Sequence, residues 1–153
     1  MTVTQDTLLA RENIKEVIYT YCFGVDREQW DRVRGCFTLD ATHDHGTFEG
    51  DTDTFIGFAA DILKQMDGTM HTIGNVLITF DAGSVKSEAT FVAYHRLRGG
   101  SEGPLPAPEH DKDWIVAGRY CDDWTLDDGR WKIKHRQAIH DWTRMEDANE
   151  KLI

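Results

Sequence analysis

The sequence predicts an α+β fold in which three N-terminal helices pack on a strongly curved, mainly antiparallel sheet to form a cone-shaped α+β barrel. Three observations carry this. Apolar residues recur at three- and four-residue steps in the first half of the chain, the spacing of buried helix faces. After Asp67–Gly68 the pattern changes to alternation along four long stretches, the spacing of strands. Two breaks between those stretches, DAGS (Asp81–Ser84) and DDGR (Asp127–Arg130), read as hairpin turns. Four strands this long do not stay flat, so the helices cover a curved sheet with an apolar interior.

The first helix is expected from about Asp6 to Asp26, capped by Thr4 or Asp6. Ile14, Val17, Ile18, Tyr21, Cys22 and Val25 form its buried face. A second, shorter helix carries Trp30, Val33 and Phe37. A brief extended piece with a turn at His45–Gly46 follows. Asp51 or Thr52 then caps a third helix holding Phe55, Ile56, Ala59, Ile62, Leu63 and Met66. The strands fall within 69–81, 84–98, 113–126 and 130–142. In the last, Trp131 and Ile133 share one parity while Ala138, His140 and Trp142 share the other, so a bulge is expected near Arg136. Gly99–Asp111 is a long loop with three prolines, expected to border a pocket entrance as a lid or to reach a neighbouring subunit, with His110 on its solvent side. The chain reads as a single domain, 1–153, with a core of about 8–143 and a tail of 144–153.

Composition bounds the function. A net charge of −10 argues against nucleic acid and anionic membrane as partners. No run approaches the roughly 18 apolar residues of a membrane span, and MTVTQDTLLARE lacks a signal peptide's apolar centre. Cys22, Cys36 and Cys121 show no C-x-x-C spacing and read as free thiols, which points to the cytoplasm.

One residue breaks the helical pattern. Asp26 lies four after Cys22, so the first helix aims a carboxylate into its own core. A buried carboxylate needs a hydrogen-bonding partner. His71, His95 and His140 lie in strands among apolar neighbours and can supply one. Each histidine alone reads as a satisfied core residue. Asp26 and His71 together, with His95 near, read as a general base: a carboxylate on Nδ1 fixes the tautomer and orients the ring, leaving the other nitrogen for the cavity. Phe55 and Trp30 are expected to line the same pocket. Other constellations are weaker. His43-Asp44-His45 offers two imidazoles on one side of a strand, but reads as a surface hairpin without a third ligand, so no metal and no cofactor are expected. Ser84, Ser87 and Ser101 lack the context of an activated nucleophile, and Gly99-Gly100-Ser101 does not open a phosphate-binding helix. The exposed face of the sheet is expected to carry tryptophans and Tyr120, and so to mark an interface.

Asp26 followed by Trp30-Asp31-Arg32-Val33-Arg34, the MHTIGN stretch around His71, His95 24 residues on, and the closing HDW resemble scytalone dehydratase. Gly24-Val25-Asp26 is similar to the same stretch in lindane dehydrochlorinase, and the likeness extends to the bile-acid dehydratase and the wider SnoaL-like, nuclear-transport-factor-2-like superfamily. The resemblance implies that Asp26 holds a catalytic His71 and that His95 is a second catalytic histidine. It places Tyr21 at a catalytic tyrosine position, His45 close to a pocket tyrosine, His140 where one relative has an arginine, and Gly118 and Tyr120 near pocket serine and asparagine positions. Val25 replaces a tyrosine beside the acid, and WTLDDGRW offers no counterpart to the dehydrochlorinase arginine. The implied function is a cofactor-independent lyase or isomerase acting on a small, apolar, cyclic or aromatic substrate, assembled as a homotrimer or, second, a homodimer. The alternatives are a non-catalytic small subunit of a ring-hydroxylating dioxygenase and a protein that only binds an apolar ligand.

Overall fold

The structure is a computed structural model and describes residues 4–148. Helix α1, Gln5–Asp26, opens on a capping box in which Thr4 and Thr7 exchange side-chain and backbone hydrogen bonds. Ile14, Ile18, Tyr21, Cys22 and Val25 form its buried face. Helix α2, Trp30–Gly35, stops before Phe37, which instead starts strand β1, Phe37–Asp44. The correction has a packing cause: Phe37 registers with Ile133 of the last strand and sets its ring 5.8 Å from Tyr21. Strand β2, Glu49–Asp51, turns back on β1 and leads into α3, Thr52–Leu63, capped by Asp51. Met66, expected on α3, instead begins β3, Met66–Asp81, paired with Leu97. Strands β4, Ser84–Leu97, β5, Lys112–Asp127, and β6, Arg130–Asp147, complete the meander. β6 therefore continues four residues into the expected tail, whose last part, 149–153, lies outside the described residues.

The strand order is β2-β1-β6-β5-β4-β3, with β1 parallel to β6 and every other pair antiparallel. Curvature follows from the helix contacts. α3 touches β1 and β3, which stand near opposite ends of this order, and α1 touches both β3 and β6. A flat sheet would hold those strands too far apart for short helices to bridge. Two bulges in β6 shape the wall. Ile133 and His135 pair with consecutive residues of β5, as do His140 and Trp142, leaving Lys134 and Asp141 as the extra residues. The first lies two residues from Arg136 and moves Arg136, Ala138 and His140 to the inner face. At the second, a Cβ on Gly118 would come within 2.0 Å of the Ile139 carbonyl oxygen, so that position requires glycine.

The inner face carries Phe91, Ala93, Val116, Tyr120, Trp124, Ile133 and Ala138 in one core with the helices. Tyr120 is thus a core residue, 3% exposed, and not part of the outer face. Trp124 is buried and donates to Ser87 Oγ, whereas Trp114 and Trp131 are partly buried against the core. Trp142 is the strand tryptophan that faces out, 52% exposed, alongside Met70 and Tyr94. Two polar pairs are built into this interior. One is Asp26 with His71. The other, Asp122 with Arg136, has no side-chain exposure at all.

Candidate active site

Between the helices and the concave face lies a cavity of about 370 Å³. α1 contributes Tyr21 and Val25, α3 contributes Phe55 and Ile62, and the strands contribute His71, Phe91, His95, Trp114, Tyr120 and His140. His45 enters from the β1–β2 turn and Leu105 from the long loop. Of the sequence-predicted pocket, Trp30 alone is misplaced. It is half-buried against the core but does not line the cavity, because α2 turns Val33 inward and lies outside α1.

Asp26 ends α1 and meets His71 near the start of β3. Its Oδ1 accepts from His71 Nδ1 at 2.6 Å and its Oδ2 accepts from the His71 backbone N–H at 2.8 Å. Both carboxylate oxygens are thereby committed to one residue, which fixes the ring in position and rotation. A carboxylate can only accept, so Nδ1 carries the proton and the neutral ring keeps its lone pair on Nε2. Nε2 has no hydrogen-bond partner among the described residues, while the ring lines the cavity. The Asp26 and His71 side chains are 15% and 9% exposed.

His95 stands edge-on to His71, ring centroids 5.7 Å apart, and its Nδ1 pairs with the Thr69 hydroxyl at 2.8 Å. Burial, helped by the neighbouring His71, pushes His95 down to about 4. Burial also lowers His140, and holds His45 well below its ordinary value. Burial raises the phenols of Tyr21 and Tyr120, so both stay protonated. Around the dyad, then, the polar groups facing the cavity are neutral near pH 7. Such a lining favours an uncharged ligand that offers hydrogen-bonding oxygens.

The His43-Asp44-His45 stretch is not a surface hairpin. His43 is buried, with Nε2 bonded to Thr52 Oγ1 at 3.0 Å, its ring stacked on Phe55 at 4.6 Å, and burial pushing it down to about 3. His45 stacks on the same phenylalanine at 4.4 Å. Asp44 lies on the other side of the strand, accepting from Gly46 N–H and from the Gln137 amide. Among the described residues no three side chains gather as a metal site. Exposed His110 stays on the solvent side of its loop.

Sequence reasoning missed Asp122 and Arg136. Arg136 donates to both Asp122 oxygens at 2.7 and 2.8 Å, and its guanidinium lies 4.1 Å from the Tyr21 ring centre and 4.3 Å from that of Tyr120. The signal was present: Asp122 shares the inward parity of Tyr120 and Trp124. Gln65 and Leu105, which tie the long loop to the cavity, carried no such signal.

No protein of curated function matches the chain. Solved structures do. A scytalone dehydratase-like protein of Novosphingobium aromaticivorans shares 22% identity over 97% of this chain and 94% of its own, with a TM-score of 0.77. The LinA-type3 hexachlorocyclohexane dehydrochlorinase of Novosphingobium barchaimii shares 16% over 97% of each chain, with a TM-score of 0.80. A protein of Novosphingobium aromaticivorans described as an aromatic ring hydroxylase shares 19% over 90% and 92%, with a TM-score of 0.72. At these identities the likeness carries the fold. The model of the SnoaL-like domain matches residues 6–137, and the chain belongs to the SnoaL-like domain family.

Proposed function

We propose that the protein is a cofactor-independent lyase or isomerase in which His71, oriented by Asp26, removes a proton from carbon. The observation that carries this is the 2.6 Å bond from Asp26 Oδ1 to His71 Nδ1, with the rest of the ring turned to an apolar cavity. The substrate is a small, uncharged, cyclic or aromatic molecule with a carbonyl next to the acidic carbon. His71 Nε2 takes the proton, and Asp26 stabilises the imidazolium that results. Negative charge moves onto the carbonyl oxygen. When the Thr69 hydroxyl donates to Nδ1, His95 carries its proton on Nε2 and can donate to that oxygen. If a hydroxyl leaves from the β carbon, it departs with the proton held by His71 and the net reaction is loss of water. If the proton returns to a different carbon, the reaction is isomerisation. The low-dielectric cavity strengthens both interactions.

A test that does not require the natural substrate is exchange of the α-protons of 1-tetralone in deuterated water, followed by NMR. The wild-type protein should accelerate exchange, and His71→Ala should not. Equal rates for the two proteins would sink the reading.

The second reading, a structural partner of an oxygenase, draws on the ring-hydroxylase-like neighbour. The dyad weighs against it, since a scaffold does not require a buried acid bound to a histidine whose second nitrogen is unpaired. We also propose that the protein is a homotrimer, with a homodimer second, because Met70, Tyr94 and Trp142 expose apolar surface on one face of the sheet. Light scattering at micromolar concentration would report a monomer if this is wrong. Its three free cysteines support placement in the cytoplasm.

A further inference from the structure

The long loop after β4 is held at three levels. At its base the Gly99 N–H donates to Asp111 Oδ1 at 2.8 Å, and one step in the Gly100 N–H donates to the Pro108 carbonyl at 2.9 Å. At its tip the partner is Gln65, a fully buried residue between α3 and β3. Leu105 N–H donates to Gln65 Oε1 at 2.9 Å, and Gln65 Nε2 donates to the Leu105 carbonyl at 2.9 Å. The side-chain amide thus pairs with the loop peptide as a neighbouring strand would.

The loop sequence suits this. Pro104 and Pro106 flank Leu105 and have no N–H, so the tip offers one backbone donor, and Gln65 takes it. Gly103 lets the backbone rest on the amide, since a Cβ there would come within 2.4 Å of Gln65 Cδ. Pro104 and Pro106 are exposed, while Leu105 turns inward and lines the cavity. Among loop residues 99–111 it is the one that does so. Among the described residues the Gln65 side chain makes one further hydrogen bond, donating from Nε2 to Ser101 Oγ of the same loop at 3.4 Å. Two neutral hydrogen bonds and one half-buried leucine form a contact that water can replace when the loop lifts.

We propose that Leu105 is the residue that sets which ligands the cavity accepts, and that Gln65 is the positioning residue that holds it there. This rests on the reading of the cavity as the ligand site, but not on the chemistry done in it. A bulkier side chain at 105 narrows the space from the loop side. Loss of the Gln65 amide frees the tip, so ligands leave faster while the Asp26–His71 pair is untouched.

Binding and proteolysis test this without turnover. In calorimetric titrations Leu105→Trp should weaken 1-tetralone tenfold or more and cyclohexanone less than threefold. Equal changes for the two ketones would overturn the role of Leu105. Because Leu105 lies on a half-exposed loop, this variant reports even if changes at buried Gln65 disturb folding. A glutamate-specific protease can cut the loop at Glu102 and Glu109. Gln65→Leu, with native circular dichroism, should be cut about tenfold faster than wild type, and 1-tetralone should slow cleavage of the wild type. Cleavage of Gln65→Leu at the wild-type rate would overturn the latch. In proton exchange, Gln65→Leu should raise KM several-fold with kcat within twofold. A fall in kcat alone would mean that the residue acts on the base and not on the loop. Should Asp26→Asn retain full exchange while these variants behave as stated, the base assignment fails and this one stands.

Discussion

The interior holds two carboxylates, one mostly and one fully buried, each bound to a nitrogen group by a short contact, and they differ in what they leave open to the cavity. Asp122 and Arg136 are sealed inside the core: two bonds join them, two tyrosine rings face the guanidinium, neither side chain is exposed, and Arg136 Nη1 is left buried without a hydrogen-bond partner. Asp26 also uses both oxygens, but on one residue, and that residue keeps a second nitrogen for the cavity. A closed pair can do nothing except hold structure. An open pair leaves one group poised, which costs the fold something and is useful only if a ligand arrives. Burial alone therefore does not mark an active site. Burial with one unused valence beside an empty space does.

That difference is broken most sharply by changing each acid in turn. Asp26→Asn keeps the shape but no longer stabilises the imidazolium, and its amide can present an N–H where Nδ1 needs an acceptor. Proton-exchange rate should fall by roughly 10²–10⁴, with the melting temperature little changed. A variant of wild-type rate would show that the open pair is as structural as the closed one. Asp122→Asn should do the opposite. It strands a buried guanidinium, at a cost of roughly 3–5 kcal/mol in urea unfolding, while any protein that remains folded exchanges normally. Replacing both partners, as in Asp122→Leu with Arg136→Met, should recover much of that loss, because apolar groups of similar volume often serve a core as well as an ion pair. Failure of both single and double variants to change stability would mean that the closed pair is dispensable.

Much of this contrast could be read from the sequence, and its limits are physical. Asp26 stood out because helical spacing fixes which side of α1 a residue occupies, and the acid fell on the buried side. His71 could be matched to it because strand residues among apolar neighbours face inward. Asp122 was legible by the same logic but sits beside Asp123, so a pair of acids in a strand reads as solvent-facing. Arg136 was hidden by the bulge at Lys134, which changes the parity of everything after it. Phe37 and Met66 failed at element ends, where periodicity cannot separate the last helical turn from the first strand residue. Trp30 failed because partial burial against a core looks the same as lining a cavity. The Gln65–Leu105 contact depends on a loop folding back over 40 residues, and no local pattern reports that.

Two buried histidines, His95 beside the open pair and His43 stacked on Phe55, give the next expected effect, on stability against acid. Burial holds His43 down to about 3 and His95 down to about 4, from an ordinary 6.5. Below about pH 6.5 the unfolded chain therefore binds more protons than the folded one. Their contribution is complete above that pH and is lost as pH falls from there through 4 towards 3. Over that window His95 accounts for roughly 3 kcal/mol and His43 for roughly 5 kcal/mol. The exposed carboxylates Asp44 and Asp51, held low by backbone N–H groups, add to the loss only near and below pH 4. Urea midpoints at pH 7, 5 and 4 should thus fall steadily, and His43→Phe, which keeps the stack on Phe55, should flatten the decline. A flat profile in the wild type would mean that these imidazoles are hydrated.

The smallest effect belongs to the residue shared by both pairs. Tyr21 lines the cavity with His71 and presents its ring face to Arg136. If its hydroxyl served as the proton donor, the closed pair would reach into the chemistry and the separation drawn above would fail. Its phenol is raised by burial and stays protonated, so it could donate a hydrogen bond. His95 is placed better for the task, edge-on to His71 and with its Nδ1 already engaged by Thr69. Tyr21→Phe keeps the ring, and with it the contacts to Arg136, Phe37 and Tyr120. Stability should therefore move by no more than about 1 kcal/mol, and exchange should slow by less than about tenfold. His95→Phe should cost more than Tyr21→Phe in the same assay. The reverse order would make the tyrosine the donor and join the two pairs into a single site.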